Sequence, residues 1–247
     1  MSPHASRGNG GGPAFRYSRG GKGPPLLLRV DRAFGRSSCS RANKLSQVDV
    51  LAPLAIAYLL GSVDFGVIVP RMLGVDIYAT GSGNPGTSNV FRSLGKGPAA
   101  LVLLGDGAKG AVAAAIGAVW ASVVSNTASV ETLAVACAFA AVLGHVAPVW
   151  HGFRGGRGVA TAIGAAIFLA PIFGLVLAAG WLVATLVFKV ASLASLGAMV
   201  LYVPGLALAG YRGWALAWAL AIAVLVIARH VPNIRRLVAG SERTVNG

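Results

Sequence analysis

Apolar residues dominate the chain from Leu51 onward, in long runs separated by short polar stretches. The runs lie at about residues 50–70, 97–121, 131–150, 159–187, 191–210 and 213–229. A helix of about 20 residues crosses a hydrocarbon core of about 30 Å, and most of the runs have roughly that length. The pattern therefore predicts an all-α integral membrane protein and excludes a soluble globular domain.

The polar stretches differ in their basic charge. Lys and Arg are concentrated in residues 71–96 and 151–157, at Lys189 and in residues 229–243, whereas the other connections hold only Arg212. Because basic loops of membrane proteins stay on the cytoplasmic side, we expect all four basic stretches to lie on that side.

The longest run, residues 159–187, decides how many helices cross the membrane. All four basic stretches lie on one side only if this run crosses twice or re-enters, and Pro171 is placed to reverse the chain. We therefore expect about seven transmembrane helices, some of them short, with Gly-rich loops on the cytoplasmic side forming the site. The same count of membrane crossings places the N-terminus on the outer side.

Composition supports the membrane prediction and sets the N-terminal segment apart. Mean hydropathy is +0.72 and 11% of the residues are charged, against about 25% in soluble domains. Residues 1–48 hold nine basic residues and one acid, and they are rich in Gly, Ser and Pro. We expect a disordered extension there, with no nucleic-acid partner, although a basic nucleic-acid-binding arm is the alternative. If translation begins near Val48, the extension is an artefact of start-site choice, and residues 49–247 form the membrane domain.

The stretch GSGNPGTSNVFRSLGKG, residues 81–97, has the composition of an anion-binding loop. Its glycines allow successive backbone N–H groups to point at one spot, hydroxyls and amides add donors, and an arginine adds a charged fork suited to phosphate. Its candidate ligands are Ser82, Asn84, Gly86, Thr87, Asn89 and Arg92.

Two further stretches have related chemistry. GFRGGRG, residues 152–158, runs directly into a predicted helix, whose N-terminus favours anions. RHVPNIRR, residues 229–236, places His230 and Asn233 three residues apart, on one face if the last helix extends that far. Three such stretches on one membrane face predict a site for an anion, and their donors favour phosphate. The alternatives are simple Gly-rich connectors, basic topology anchors and an interfacial histidine.

Asp64, Asp106 and Lys109 are charged side chains inside the apolar runs. Asp106 and Lys109 are three residues apart, so we expect a mutual ion pair that supports the loops, with direct chemistry as the alternative. Asp64 lies near the cytoplasmic end of the first run, where it could simply reach water. No cluster of His, Cys, Asp and Glu has the spacing of metal ligands, so we expect no metal and no other cofactor.

The motifs together resemble a known family. GSGNPGTSNVFRSLGKG, AAVLGHVAPVWHGFRGGRGVATAIG and RHVPNIRRLVAGSE occur in this order, with DGAKG at residues 106–110 between the first two. In sequence and spacing they closely resemble the bacterial PlsY family of membrane acyl-phosphate:glycerol-3-phosphate acyltransferases. The similarity extends over about residues 55–243, which is nearly everything except the N-terminal segment.

The resemblance implies a specific reaction. A fatty acyl group would pass from acyl-phosphate to the 1-hydroxyl of glycerol 3-phosphate, giving 1-acyl-glycerol 3-phosphate and phosphate in phospholipid biosynthesis. It also implies seven helices in the bacterial inner membrane, a site facing the cytoplasm and an upstream soluble acyl-phosphate synthase. Acyl-CoA and acyl carrier protein would not be direct donors. In agreement, the chain lacks the H-x4-D pair of the other glycerophosphate acyltransferases.

The resemblance also assigns roles by motif. The implied catalytic residues are Ser82, Arg92, Arg157, His230 and Asn233, and the implied substrate-binding residues are Asn84, Gly86, Thr87, Asn89, Ser192 and Glu242. Ser195 is the alternative to Ser192, and Glu242 is expected to support an arginine by pairing with it. Arg157 stands where the family usually has lysine, which keeps the charge but widens the donor group. Asp64 stands where relatives usually have proline, a change for which we have no functional account.

An already activated acyl-phosphate requires no protein nucleophile, which agrees with the lack of a Ser-His-Asp or Cys-His arrangement. Positioning and charge neutralisation would then supply most of the rate. A transporter for a phosphate-containing anion is the alternative, because short runs, a proline break and an ion pair within a helix are typical of transporters. Against it, the candidate groups lie in loops at one face.

Overall fold

The computed structural model describes residues 47–124 and 129–245, and within these ranges the chain is all-helical. Its ten α-helices in this part are α1 (Gln47–Gly61), α2 (Phe65–Met72), α3 (Thr87–Leu94), α4 (Lys96–Val123), α5 (Val130–Val146), α6 (Val159–Leu169), α7 (Pro171–Phe188), α8 (Ala191–Leu208), α9 (Gly213–Arg229) and α10 (Val231–Val238). A short 3₁₀ helix covers Val149–His151. The predicted N-terminal extension lies outside the described residues except for its last two, and it stays a prediction.

The apolar helices confirm an integral membrane protein. Within the described ranges, five helical segments are long and apolar enough to cross a membrane: Val50–Met72, Lys96–Val123, Val130–His151, Pro171–Phe188 and Ala191–Leu208. A sixth is possible if α9 and α10, which meet at a 55° bend, form one span, and α6 is a shorter apolar helix. Pro171 separates α6 from α7 and occupies the first turn of α7, where its missing N–H costs nothing. The count of seven spans stays a prediction.

The bundle is built around α5, which contacts α1, α4, α6 and α9. Small residues allow the helices to approach closely, as they do in other membrane bundles. A Cβ atom at Gly164 of α6 would overlap the carbonyl group of Gly107 in α4, and one at Gly110 would overlap the carbonyl of Thr161. The backbones of α4 and α6 therefore touch, which fixes the loop before α6 against the middle of α4.

Asp64 does not reach water. Its side chain is fully buried at the break between α1 and α2, where Oδ1 accepts a hydrogen bond from the Gly66 N–H at 3.0 Å and so caps α2. The short break turns the carboxylate toward α4 and α5 instead of the surface, and there it lies close to Asp106 and His145.

The four basic stretches meet at one end of the bundle. The Tyr78 hydroxyl donates to the Arg154 carbonyl at 2.6 Å, and the Arg154 guanidinium lies 4.9 Å from the centre of the Tyr78 ring. Arg229 donates to the Gly155 carbonyl at 3.2 Å, and the Val245 N–H donates to the Lys189 carbonyl at 2.7 Å. These contacts hold the Gly-rich loops together over the ends of α3, α6 and α8.

Candidate active site

A cavity of about 670 Å³ opens beneath these loops, and its two ends differ in chemistry. Its polar end is lined by the 81–97 stretch, by Arg157, by Ser192 and by His230. Its apolar wall comes from α4, α6 and α7 and includes Leu103, Leu104, Ala108, Ala111, Ile163, Ile167, Leu175, Ala178, Ala179 and Leu182. The shape suits a molecule with an anionic head and a long apolar tail.

Three helices begin at the polar end. Thr87 at the start of α3, Val159 at the start of α6 and Ala191 at the start of α8 all line the cavity. The first N–H groups of a helix have no carbonyl partner within it and carry partial positive charge. Gly158, with φ +88°, makes the sharp turn into α6 that residues with a side chain rarely adopt. The convergence provides backbone donors for a phosphate group.

The first loop is held in shape by one buried amide. The Asn89 Oδ1 accepts from the Ser82 N–H at 2.8 Å, and its Nδ2 donates to the Thr80 carbonyl at 3.0 Å. Asn89 is 2% exposed, and the contacts fold residues 80–82 back over α3. This arrangement holds Ser82 at the cavity, which Arg92 of α3 also lines. Asn89 therefore shapes the loop.

A second, much smaller cavity of about 20 Å³ adjoins the first. The two share Ser82, Ser88, Arg92, Arg157, Ala191 and Ser192 as lining residues. The small cavity is lined by four guanidinium groups, from Arg92, Arg157, Arg236 and Arg243, and by one carboxylate, from Glu242. The excess of positive charge favours a second anion where the two cavities meet.

The crowded arginines have perturbed pKa values. Burial is the main cause that lowers the pKa of Arg157 to about 10. The nearby Glu242 carboxylate acts to raise this pKa, whereas the positive charges of Arg236, Arg92 and Arg229 lower it further. Burial also lowers the pKa of Arg92, and the neighbouring Arg243 adds to this effect. Their positive charges are only partly compensated within the protein, so a bound anion would be favoured.

Glu242 cross-links the third motif. Its Oε1 accepts from Asn233 Nδ2 at 2.6 Å and from the Ser192 hydroxyl at 3.1 Å, and its Oε2 pairs with Arg236 Nε at 2.8 Å. Burial alone would raise the pKa of Glu242, but hydrogen bonds from Asn233, Arg236 and Ser192 lower it below the ordinary value. The carboxylate is thus an ionised anchor for α8, α10 and the chain after α10.

His230 and Asn233 both have an acceptor atom left over. The His230 Nδ1 lies 2.8 Å from the Val226 carbonyl, which can only accept, so Nδ1 carries the proton and Nε2 stays available in the neutral ring. The Asn233 Oδ1 is buried and has no hydrogen-bond partner among the described residues. A buried acceptor without a donor is costly, so Asn233 is suited to receive a donor from a ligand.

All eleven predicted site residues line one of the two cavities. The large one is lined by Ser82, Asn84, Gly86, Thr87, Asn89, Arg92, Arg157, Ser192 and His230, and the small one by Asn233 and Glu242. Ser195 also lines the large cavity, but its hydroxyl donates to the Ala191 carbonyl at 2.7 Å and accepts from Trp181 Nε1 at 3.0 Å. Ser192, which lines both cavities, is the better placed of the two serines.

Two ionisable residues that line the large cavity, Asp106 and His145, were not among the predicted site residues. They belong to a buried cluster with Asp64 and Lys109, in which Lys109 Nζ lies 2.8 Å from Asp106 Oδ1 and 2.9 Å from His145 Nδ1. The predicted Asp106–Lys109 ion pair is confirmed, but its contact with His145 spans 36 positions and has no signal in the local spacing. Asp64, Asp106 and His145 each have one atom that could ligate a metal ion, and these atoms lie within 4.8 Å of one another. The Lys109 ammonium supplies positive charge among them.

Comparison with known proteins identifies the family. The family model described as glycerol-3-phosphate acyltransferase matches residues 51–240. A glycerol-3-phosphate acyltransferase from Neisseria meningitidis serogroup A is 45% identical over 195 residues, covering 78% of this chain and 95% of the relative. One from Thiobacillus denitrificans is 42% identical over 198 residues, covering 76% and 94%.

Solved structures agree with the sequence relatives. A crystal structure of PlsY (YgiH), an integral membrane glycerol 3-phosphate acyltransferase in its glycerol 3-phosphate form, matches with a TM-score of 0.71 and 37% identity. The match covers 79% of this chain and 94% of that one, and the lysophosphatidic acid form matches with a TM-score of 0.70. These relationships favour an acyltransferase over the transporter alternative. The chain belongs to the glycerol-3-phosphate acyltransferase (PlsY) family of integral membrane enzymes.

Proposed function

We propose that the protein transfers a fatty acyl group from acyl-phosphate to the 1-hydroxyl of glycerol 3-phosphate. The products are 1-acyl-glycerol 3-phosphate and inorganic phosphate, and the reaction serves phospholipid biosynthesis. The observation that carries the proposal is the pair of adjoining cavities. One suits a molecule with an anionic head and an apolar tail, and the other is lined by four arginines. Two phosphate-bearing substrates need two such places. The related crystal structures, described as glycerol 3-phosphate and lysophosphatidic acid forms, agree with this substrate and product.

The acyl-phosphate takes the large cavity. Its phosphate lies at the starts of α3 and α6, near the N–H groups of Thr87 and Val159, and its acyl chain follows the apolar wall. Glycerol 3-phosphate places its phosphate where the two cavities meet, against Arg92 and Arg157, which line both cavities. The two phosphates then lie on either side of these guanidinium groups.

The transfer step needs no covalent enzyme intermediate. The glycerol hydroxyl oxygen attacks the acyl carbonyl carbon, an ester C–O bond forms, and the bond to the phosphate oxygen breaks. Phosphate leaves with the electron pair, and the hydroxyl proton passes to it. His230 Nε2 and Asn233 Oδ1 are the acceptors that orient the glycerol hydroxyls. Positioning and neutralisation of the two phosphates lower the barrier.

We further propose that the site faces the cytoplasm of a bacterial inner membrane. All four basic stretches meet around the cavities, and the positive-inside rule favours the cytoplasmic side for them. The acyl-phosphate would come from a soluble synthase on that side. Membrane lipid is the other partner, and neither a cofactor nor a nucleic acid has a part in the reaction.

The proposal is tested by measuring the release of inorganic phosphate from palmitoyl-phosphate. The purified full chain is assayed with and without glycerol 3-phosphate. We expect release that requires glycerol 3-phosphate and that Arg92→Ala reduces by about 100-fold, because a charge at both phosphates is lost. Arg212→Ala is the control, since Arg212 lies in the α8–α9 connection away from both cavities. Release without glycerol 3-phosphate, or none with a folded protein, would contradict the proposal.

A further inference from the structure

The buried ammonium of Lys109 fixes the chemical state of His145. Lys109 Nζ lies 2.7 Å from the Val63 carbonyl, 2.8 Å from Asp106 Oδ1 and 2.9 Å from His145 Nδ1. An ammonium has N–H donors and no acceptor, so the Val63 carbonyl oxygen and His145 Nδ1 must accept from it, and Asp106 Oδ1 forms an ion pair with it. The nitrogen Nδ1 of His145 therefore carries no proton.

A neutral imidazole without a proton on Nδ1 carries it on Nε2. An Nδ1–H would point at the Lys109 ammonium. The Asp106 Oδ1 lies 3.5 Å from Nδ1, farther than Lys109 does, so the lysine is the closer partner. Asp64 belongs to the same cluster, but its Oδ2 has no hydrogen-bond partner in the described part of the chain. It therefore accepts no hydrogen bond from the Nε2–H group.

The Nε2 atom lies at the junction of the two Gly-rich loops. A Cβ atom at Gly156 would overlap His145 Nε2 and lie 3.1 Å from the Pro85 carbonyl oxygen. Gly156 precedes Arg157, and Pro85 precedes the start of α3. The Gly156 N–H also donates to the carbonyl of His145 at 3.1 Å, which fastens the second loop to the same residue. His145 itself is 3% exposed and lines the large cavity.

We propose that His145 donates its Nε2–H to the phosphate of the acyl donor, and that Lys109 and Asp106 are positioning residues that hold the imidazole in the required tautomer. The inference rests on the proposed function, because it assigns the phosphate in the large cavity to acyl-phosphate. A neutral donor fits this place, since phosphate accepts hydrogen bonds and the nearby helix starts and Arg157 already supply positive charge.

Two substitutions separate the ring nitrogens. His145→Asn places an amide oxygen near the Nδ1 position, where Lys109 can still donate, but it has no donor at the Nε2 position. His145→Gln places an amide N–H near the Nε2 position and gives up the contact with Lys109. His151→Asn is the control, because His151 lies in the neighbouring 3₁₀ helix and does not line either cavity.

We expect His145→Asn to lower kcat/KM for palmitoyl-phosphate by about 10- to 100-fold, as for loss of one hydrogen bond to a charged group, with little change in KM for glycerol 3-phosphate. His145→Gln keeps most of the activity, and the control is unchanged. Wild-type activity in the Asn variant would overturn the inference. So would equal losses in the Asn and Gln variants at equal thermal stability.

A measurement on the wild-type chain keeps the test decisive if a variant does not fold. Nitrogen NMR of isotope-labelled histidine in detergent distinguishes protonated from unprotonated ring nitrogens, and inorganic phosphate is the probe. We expect a histidine with a protonated Nε2 and a bare Nδ1 whose Nε2 signal shifts with added phosphate, and loss of that signal in His145→Gln assigns it to His145. The inference is overturned if no histidine of this tautomer responds to phosphate, or if the responding signal persists in His145→Gln. Because this readout does not need turnover, it stays informative even if the phosphate-release assay refutes the proposed reaction.

Discussion

Removing the charge of Arg157 should reduce activity without reducing stability. Arg157 lines both cavities, so its guanidinium faces both phosphates in the proposed complex. Two unit charges 4 Å apart interact by about 4 kcal/mol at an effective dielectric constant of 20. Half-burial of the side chain and the presence of Arg92, Arg236 and Arg243 reduce this to about 2–3 kcal/mol for Arg157 alone. Arg157→Ala should therefore lower kcat/KM by about 30- to 150-fold.

The stability side of this prediction follows from the pKa of Arg157. Burial lowers that pKa to about 10, which means that the folded, ligand-free protein disfavours the charge. Losing the charge should leave the melting temperature in detergent unchanged or slightly higher. Arg157→Lys keeps the positive charge but loses the planar guanidinium with its several N–H donors, so we expect kcat/KM to fall about fivefold.

Initial rates of phosphate release at varied concentrations of both substrates provide the assay. Arg235→Ala is the matched control, because Arg235 is exposed on α10 and lines neither cavity. Activity of Arg157→Ala within about threefold of wild type would refute the reasoning. An equal loss in the Arg235 variant would also refute it, since the effect would then come from overall charge.

Three further predictions concern the anchor, the acyl wall and the helix contacts. Glu242→Gln should destabilise the fold by about 2 kcal/mol at neutral pH. Because the pKa of Glu242 is lowered on folding, its contribution is present above the ordinary carboxyl range and is lost as pH falls below it, so thermal melts of the two proteins should converge in acid. Ala178→Leu, in the apolar wall, should slow palmitoyl-phosphate more than decanoyl-phosphate in competition assays, whereas Val176→Leu on the exposed face of α7 should not. Gly164→Ala should lower the melting temperature sharply, whereas Gly180→Ala, with open space around it, should not.

Much of the site could be predicted because its chemistry is local in the sequence. Glycines, hydroxyls, amides and Arg92 follow one another within the 81–97 stretch, and Pro171 marks the break between two helices directly. The positive charge of the basic stretches and the number of crossings between them predict that these stretches lie on one side of the membrane. Contacts such as that of Tyr78 with Arg154 join them.

The parts that escaped prediction depend on tertiary placement. His145 meets Lys109 only because α4 and α5 pack side by side, and no spacing in the sequence encodes that distance. The position of Asp64 near the end of an apolar run leaves contact with water open, but the break between α1 and α2 turns the side chain inward. The acyl wall consists of ordinary Leu, Ile and Ala residues, which are indistinguishable in sequence from residues that face lipid.

The choice of acyl donor tests the central claim most directly. Purified protein would receive labelled glycerol 3-phosphate with palmitoyl-phosphate, palmitoyl-CoA or palmitoyl-acyl carrier protein in parallel, and the labelled lipid would be identified by mass spectrometry. The account predicts 1-palmitoyl-glycerol 3-phosphate from palmitoyl-phosphate alone, with one phosphate released for each lipid formed. Equal or faster product formation from palmitoyl-CoA or palmitoyl-acyl carrier protein would contradict it.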